Sequence, residues 1–322
     1  MLARPHTRLL FAIIALTALA LAACSGGSGS DAPAPTPTAS SPPTPLPPIA
    51  DDAPLPDDTQ VAIVNSETVV GENRLYVIIH DNERRPIANA KAHLLFFLLN
   101  EDGSAGPLKA EGDVEFIGEG IPSAQGAYSM RASFDEPGRY RVEASVTRGQ
   151  DGPVVARSSF NVQARSSAPS IGDDSPRSAN LTLKDAPIEH LTSQRPTGDP
   201  DFYRLTIAKA LDQRKPLMVV FSTPAFCQTR TCGPQLEAAQ ALKLVHGDRV
   251  NFIHVDVFER PDLLLTGETQ PKVNPVLLEW RLQTEPWVYV IGAQGKVHDR
   301  FEGFASRAEL ERSLLQVLTP LA

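Results

Sequence analysis

Residues 217–221, Leu217-Met218-Val219-Val220-Phe221, form a continuous apolar run with no polar residue in either phase. A strand with one wet face alternates apolar and polar residues. A strand that does not alternate is covered on both faces, which needs packing layers on each side of its sheet. The surrounding pattern supplies those layers. Residues 202–213 place Leu205, Ala208 and Leu211 at helical spacing, and Lys215-Pro216 stops that helix. A second helix is predicted over 235–245, and a buried-type strand over 251–257. A short helix at 276–281 precedes a strand over 287–291. Gly295 turns the chain into a strand over 296–301, and an amphipathic helix at 307–317 closes it. The order predicts an α/β domain over residues 181–322.

Between the apolar run and the second helix stands Ser222-Thr223-Pro224-Ala225-Phe226-Cys227-Gln228-Thr229-Arg230-Thr231-Cys232-Gly233-Pro234. A cysteine motif follows a central strand and opens a helix, the phrase Cys232-Gly233-Pro234 is present, and Pro286 precedes a later strand. In these features the domain resembles the thioredoxin-like superfamily. The resemblance implies a thioredoxin fold, a cis peptide bond before Pro286, and thiol–disulfide chemistry at Cys227 and Cys232. It also implies a substrate surface at Pro286, Phe226 and Trp287, although Trp280 and Trp287 read first as packing residues. The motif departs from the family's Cys-x-x-Cys, because the spacing here is Cys-x4-Cys. Two registers are open. Phe226-Cys227 matches the family's aromatic-cysteine pair with an expanded turn before Cys232, or Cys232-Gly233-Pro234 matches Cys-Gly-Pro with Gln235 in the second cysteine's place. The distance from the strand favours the first.

The chemistry follows from thiol acidity. A free cysteine titrates near 8.5, and a helix start carries partial positive charge and unpaired N–H groups. Both cysteines lie at or before such a start, with Arg230 between them. Cys227 is expected to attack a substrate disulfide and Cys232 to resolve the mixed disulfide. Asp256 is either a proton acceptor or a strand-end structural residue. This chemistry needs no cofactor and no metal, and the expected partners are exported protein thiols or disulfides.

Three other readings use the same residues. A thiol peroxidase of peroxiredoxin type also carries Cys-x4-Cys, but places Thr three residues before the reactive cysteine, where this chain has Pro224. That family's activating Arg is also missing, since Thr284 and Glu285 occupy its region. A Sco-like copper-binding chaperone uses two nearby cysteines and a distant His, but no His lies near Pro286, and His298 comes a strand later. His190, His246, His254 and His298 show no metal-ligand spacing. The last reading is an inert disulfide that pins the loop.

The chain begins differently. Of its three cysteines, Cys24 follows Leu21-Ala22-Ala23, after Arg4, Arg8 and an apolar run at 9–21. This resembles a bacterial lipoprotein signal. It implies removal of residues 1–23, lipidation of Cys24, and a lipid anchor in the cell membrane on its extracytoplasmic face. Residues 24–59 are rich in Pro and Ser and read as a disordered tether. Residues 60–165 carry short β patterns, among them 74–80, 126–132 and 140–146, separated by turn signals such as Glu136-Pro137-Gly138. They predict an all-β sandwich that resembles immunoglobulin-like modules, and no chemistry is legible there. The domain therefore reads as a spacer or docking module whose removal leaves thiol activity intact. Residues 166–180 read as a linker. The fold class is thus multidomain, all-β immunoglobulin-like followed by α/β thioredoxin-like. The net charge of −8 and the absence of a Lys/Arg run exclude nucleic acid as a general partner.

Overall fold

The alternation in residues 71–80 builds the first half of the molecule. Leu75, Val77 and Ile79 point one way into a core, and Arg74, Tyr76 and Ile78 point the other. The computed structural model describes residues 54–319 apart from Asp151 and Thr197, and these belong to one compact unit. The expected signal peptide, Cys24 and most of the tether lie outside the described residues.

Among the described residues, nine strands precede the linker: β1 (Gln60–Ile63), β2 (Thr68–Val69), β3 (Gly71–His80), β4 (Lys91–Leu99), β5 (Ala105–Asp113), β6 (Glu115–Phe116), β7 (Ala127–Phe134), β8 (Gly138–Thr147) and β9 (Val154–Gln163). They form two sheets, β1-β3-β7-β6 and β2-β9-β8-β4-β5. One apolar core draws on both, with Leu75, Val77 and Tyr128 from the first and Leu94, Phe96 and Val142 from the second. Tyr140, near the start of β8, is buried in this core, and its hydroxyl donates to the Glu136 carbonyl at 2.9 Å. That bond satisfies the one polar atom of the ring and fixes the turn between β7 and β8.

The second half holds α1 (Ile207–Asp212), β10 (Leu217–Ser222), α2 (Cys232–His246), β11 (Asn251–Asp256), α3 (Pro261–Thr266), α4 (Pro275–Glu279), β12 (Trp287–Ile291), β13 (Val297–Glu302) and α5 (Arg307–Leu318). The sheet order is β11-β10-β12-β13. Strand β11 runs parallel to β10, β12 antiparallel to β10, and β13 antiparallel to β12. This is the thioredoxin-like order of strands and directions. As the unbroken apolar run requires, β10 is buried at every residue. Leu217, Val219 and Phe221 enter one core, and Met218 and Val220 enter another.

The first helix begins later than its apolar spacing predicts. Thr206 caps it by accepting the Lys209 N–H, and residues Pro200–Tyr203 form a separate 3-10 turn. Hydroxyl capping competes with continued helix at this position. Helix α5 carries a full capping box between Ser306 and Glu309.

The outer face of β3 docks on the second half. Arg74 is buried and donates to Glu309 at 2.9 and 3.1 Å, and to the carbonyls of Glu302 and Phe304 at 3.0 and 2.8 Å. Ser129 also donates to Glu309, at 2.7 Å. Phe304 packs with Ile117, Ala124 and Ala127. Arg300 reaches back to Glu67 at 3.1 Å. Without the β domain, Phe304 is stripped of its apolar cover and Glu309 loses its counter-ion.

Two further expectations give way to packing. Leu55 and Thr59, inside the expected tether, are buried against the β domain. The 166–180 linker is held throughout. Ser166 and Ser167 bond Glu67, Ala168 enters a core, the Gly172 N–H donates to Val297, and Ser178 accepts the Trp280 indole N–H at 2.9 Å. Its Ser and Asp residues read as solvated chain, but they serve here as partners for buried backbone and side-chain groups.

Burial acts to raise the Glu309 carboxyl, but Arg74, Ser129 and the Ser306 N–H outweigh it and hold the group below its ordinary 4.5. Removing one member of a buried ion pair costs about 3–5 kcal/mol. Arg74→Leu is therefore expected to lower the unfolding free energy of the whole chain by that order, read as a lower urea midpoint at unchanged slope. Because the folded value is depressed, the stabilisation is present above pH 4.5 and lost as pH falls through the folded value. Glu309→Gln should flatten the acid limb of the unfolding curve, and a limb unchanged by that substitution contradicts the assignment.

Candidate functional site

Three strand ends converge at one edge of the central sheet. The last rung between β10 and β11 pairs Ser222 with Asp256, and the last rung between β10 and β12 pairs Phe221 with Trp287. The loop that leaves β10 therefore starts beside Asp256 on one side and Pro286 on the other. A turn over 223–230 carries Cys227, whose N–H donates to the Thr223 carbonyl at 3.0 Å. Arg230 adopts a left-handed φ of 59°, and its N–H donates to the Cys227 carbonyl at 3.1 Å. Helix α2 then starts at Cys232. The two sulfurs form a disulfide with Cα atoms 5.9 Å apart.

Each cysteine satisfies one of the two registers. Cys227 lies in the loop just after β10, and Cys232 stands at the helix start. Gln235, in the second cysteine's place for the Cys-Gly-Pro register, is fully buried, and its side-chain oxygen accepts the Ala305 N–H at 2.7 Å. Helix polarisation thus acts on Cys232 directly, and on Cys227 only across the loop. Exposure separates them as well: Cys227 is 8% exposed and Cys232 is 0% exposed. Thr229 lies 3.2 Å from the Cys227 sulfur, and its hydroxyl meets that of Thr231 at 2.8 Å. Arg230 joins the site through its backbone, and its side chain is exposed.

The Glu285–Pro286 bond is cis, and Pro286 is buried at the base of the loop. Its carbonyl accepts the Gly303 N–H at 2.9 Å. Among the described residues, none bonds the N–H or carbonyl of Glu285, just before it. Burial raises the Glu285 carboxyl. Phe226 is half-buried, with its ring 6.0 Å from that of Phe258. Trp287 sits elsewhere. Its indole N–H donates to Thr284 at 3.0 Å, its ring stacks on Tyr289, and Arg300 lies over it at 5.9 Å. Those partners put Trp287 at the junction with the β domain, away from the role of lining the thiols that the resemblance implies.

Beneath the loop, Asp256 accepts the N–H and hydroxyl of Ser193 at 2.8 and 2.7 Å and the Phe258 N–H at 3.2 Å. Burial pushes its carboxyl up to about 6, and the bonds from Ser193, Phe258 and Thr223 offset only part of that rise. Ser193 in turn accepts the Ala225 N–H at 3.2 Å, which ties the carboxyl to the cysteine loop. A cavity of about 410 Å³ reaches Asp256 from outside, past Tyr203 and Phe258. His254 is buried between Tyr203 and Ser222, at 2.7 and 3.0 Å, and burial lowers it to about 4, so it is neutral.

Sequence reasoning missed Ser193, Thr229 and the β-domain residue Ser123, whose hydroxyl donates to the Arg230 carbonyl at 3.0 Å. No local pattern marks Ser193 or Ser123, because each reaches the loop from a distant segment. Thr229 lies inside the motif and was legible as a hydroxyl two residues from Cys227. Among the described residues no group of three or more His, Cys, Asp or Glu side chains is placed to hold a metal ion. His298 instead meets Gln316 at 2.9 Å.

No protein-family model matches the sequence, and no curated protein matches it. Solved structures similar to part of the chain include a thiol:disulfide interchange protein of the thioredoxin family from Chlorobium tepidum TLS. It is 17% identical, with 48% of this chain and 100% of that one covered at a TM-score of 0.30. A putative thiol:disulfide interchange protein DsbE from Chlorobium tepidum is 13% identical over 47% of this chain and 100% of its own, at 0.34. StoA from Bacillus subtilis is 16% identical over 38% and 94%, at 0.26.

Proposed function

We propose that the protein is a thiol–disulfide oxidoreductase acting through Cys227 and Cys232. The observation that carries this reading is their disulfide in the loop from β10 to α2, with Cys227 8% exposed and Cys232 fully enclosed. In the reducing direction the Cys227 thiolate attacks a substrate disulfide. A bond forms between Cys227 and one substrate sulfur, and the other substrate sulfur leaves as a thiolate and takes a proton. The Cys232 thiolate, favoured by the start of α2, then attacks the Cys227 sulfur. The intramolecular disulfide forms and the second substrate thiolate leaves. Two electrons and two protons pass to the substrate, and an external dithiol restores the pair. The Glu285 backbone offers its free N–H and carbonyl to the substrate strand, and Phe226 flanks the attacking sulfur. Asp256, titrating near neutrality below the loop, takes up the proton that the resolving thiol releases.

The same reading extends to the rest of the chain. The partners are exported protein thiols or disulfides. The protein is held by a lipid on Cys24 at the extracytoplasmic face of the cell membrane, and Leu21-Ala22-Ala23-Cys24 is the support for this. The β domain is immunoglobulin-like: its strand order and the Tyr140 bond to the Glu136 carbonyl support the assignment. Val142 stands two residues beyond Tyr140, where antibody domains place a cysteine. A peroxidase gains nothing from Pro224, which has no hydroxyl to offer a peroxide.

Three outcomes are expected. Cys227→Ser should abolish dithiol-driven reduction of insulin, whereas Cys232→Ser should accumulate a mixed disulfide visible by mass spectrometry; full activity in Cys227→Ser contradicts the roles. Asp256→Asn should slow turnover at pH 7 by about 10²-fold and remove the inflection near pH 6. The folded value lies above the unfolded 3.8, so the stability linked to this proton is full below pH 3.8 and lost as pH rises through about 6. Asp256→Asn should therefore also stabilise the protein at pH 7, by up to about 3 kcal/mol, and a substitution that destabilises it at pH 7 overturns the linkage. Finally, mass spectrometry of the mature protein should find a diacylglyceryl group on Cys24, and an N-terminus elsewhere removes the anchor.

A further inference from the structure

The outer face of β3 does more than hold the two halves together. Ile78 packs against the cluster around Phe304, and it also lines a groove beyond the junction. This groove, of about 300 Å³, is walled by Ala62, Val64, Ile78 and Pro86, with His80 and Arg84 at its polar side. Val64 is 44% exposed, and Arg84 projects from a turn at a left-handed φ of 63°. Ser123 also lines the groove, and Ser123 is the residue whose hydroxyl holds the Arg230 carbonyl of the cysteine loop. The groove is therefore continuous at one end with the domain interface, and it is one hydrogen bond from the loop that carries Cys227.

We propose that this groove is the docking strip for the polypeptide substrate of the thiol site. An extended segment next to the substrate's disulfide lies along it, with an apolar side chain against Val64, Ile78 and Pro86 and an acidic residue toward Arg84 and His80. The inference rests on the thiol–disulfide reading. Its physical basis is that a buried disulfide site, with Cys227 8% exposed and Cys232 0% exposed, offers little area of its own. Apolar area beside it supplies the affinity and orientation that a small disulfide does not need. The β domain is then the selectivity element of the enzyme: it distinguishes a protein disulfide from a small one, and electron transfer remains the work of the two cysteines.

The test compares two oxidants on the full chain, insulin and glutathione disulfide, with dithiothreitol as reductant. Val64→Asp and Arg84→Glu each change a surface side chain outside the thiol loop. Val64→Asp is expected to lower kcat/KM for insulin by about tenfold, mostly through KM, as for the loss of one apolar side-chain contact. Its rate with glutathione disulfide should not change. Arg84→Glu should lower the insulin rate in the same selective way. Equal losses with both oxidants, or no loss with either, overturn the groove. A chain whose Val64→Asp form only shifts from dimer to monomer in light scattering, with insulin turnover intact, also overturns it, because the groove is then a self-association surface. A wild-type protein inert toward both oxidants refutes the thiol–disulfide reading itself, an outcome distinct from selective loss of neither substrate.

Discussion

Strand β10 is buried at all six of its residues, and the geometry of the site depends on it. Its two faces feed separate cores, one with Trp280, Tyr289 and α1, the other with α2 and α5. Full burial of one large apolar side chain contributes about 1.5–3 kcal/mol, so sliding this strand by one rung disturbs both cores at once. Its register is thereby fixed. Parallel pairing to β11 and antiparallel pairing to β12 then bring the end of one, the start of the other and the outgoing loop to the same edge. That is why Asp256, Pro286 and Cys227 meet although the sequence spreads them over sixty positions. Ligands of open α/β sheets gather at this edge for the same topological reason.

The second constraint is the charge held in the junction. Arg74 is inside the protein with four hydrogen bonds, and Glu309 answers it while also closing the capping box of α5. An ion pair of this kind adds little net stability over apolar packing, but it tolerates no alternative docking, because any other arrangement leaves a bare charge. The orientation so imposed carries Ser123 to the cysteine loop and Phe304 beneath the loop of Ala124 and Ile121. The β domain is thus part of the surroundings of the thiols.

Much of the second half was legible because its signals are local. The unbroken run 217–221, the turn at Gly295 and the spacing of 307–317 each describe one element, and each element is where those patterns place it to within a few residues. The junction was not legible. The outward residues of β3, Arg74, Tyr76 and Ile78, alternate as any half-wet strand does, and nothing in that alternation says whether water or another domain covers them. The stretch 166–180 misled for a related reason: Ser and Asp suit solvated chain and buried hydrogen-bonding chain equally. At the site, the cysteines, Pro286 and Asp256 stood out by residue type, whereas Ser193 and Ser123 depended on contacts across the fold. Trp287 was assigned by its adjacency to Pro286, yet successive residues of a strand point to opposite faces, and its indole faces the junction.

The most direct test of the central claim is a redox titration of the intact chain in glutathione buffers, read by the mass added when free thiols are alkylated. The account predicts one reversible transition in which Cys227 and Cys232 gain or lose reactivity together, two labels at a time. A chain that stays unlabelled in native conditions at every reducing poise, or that takes up one label independently of the other, contradicts it.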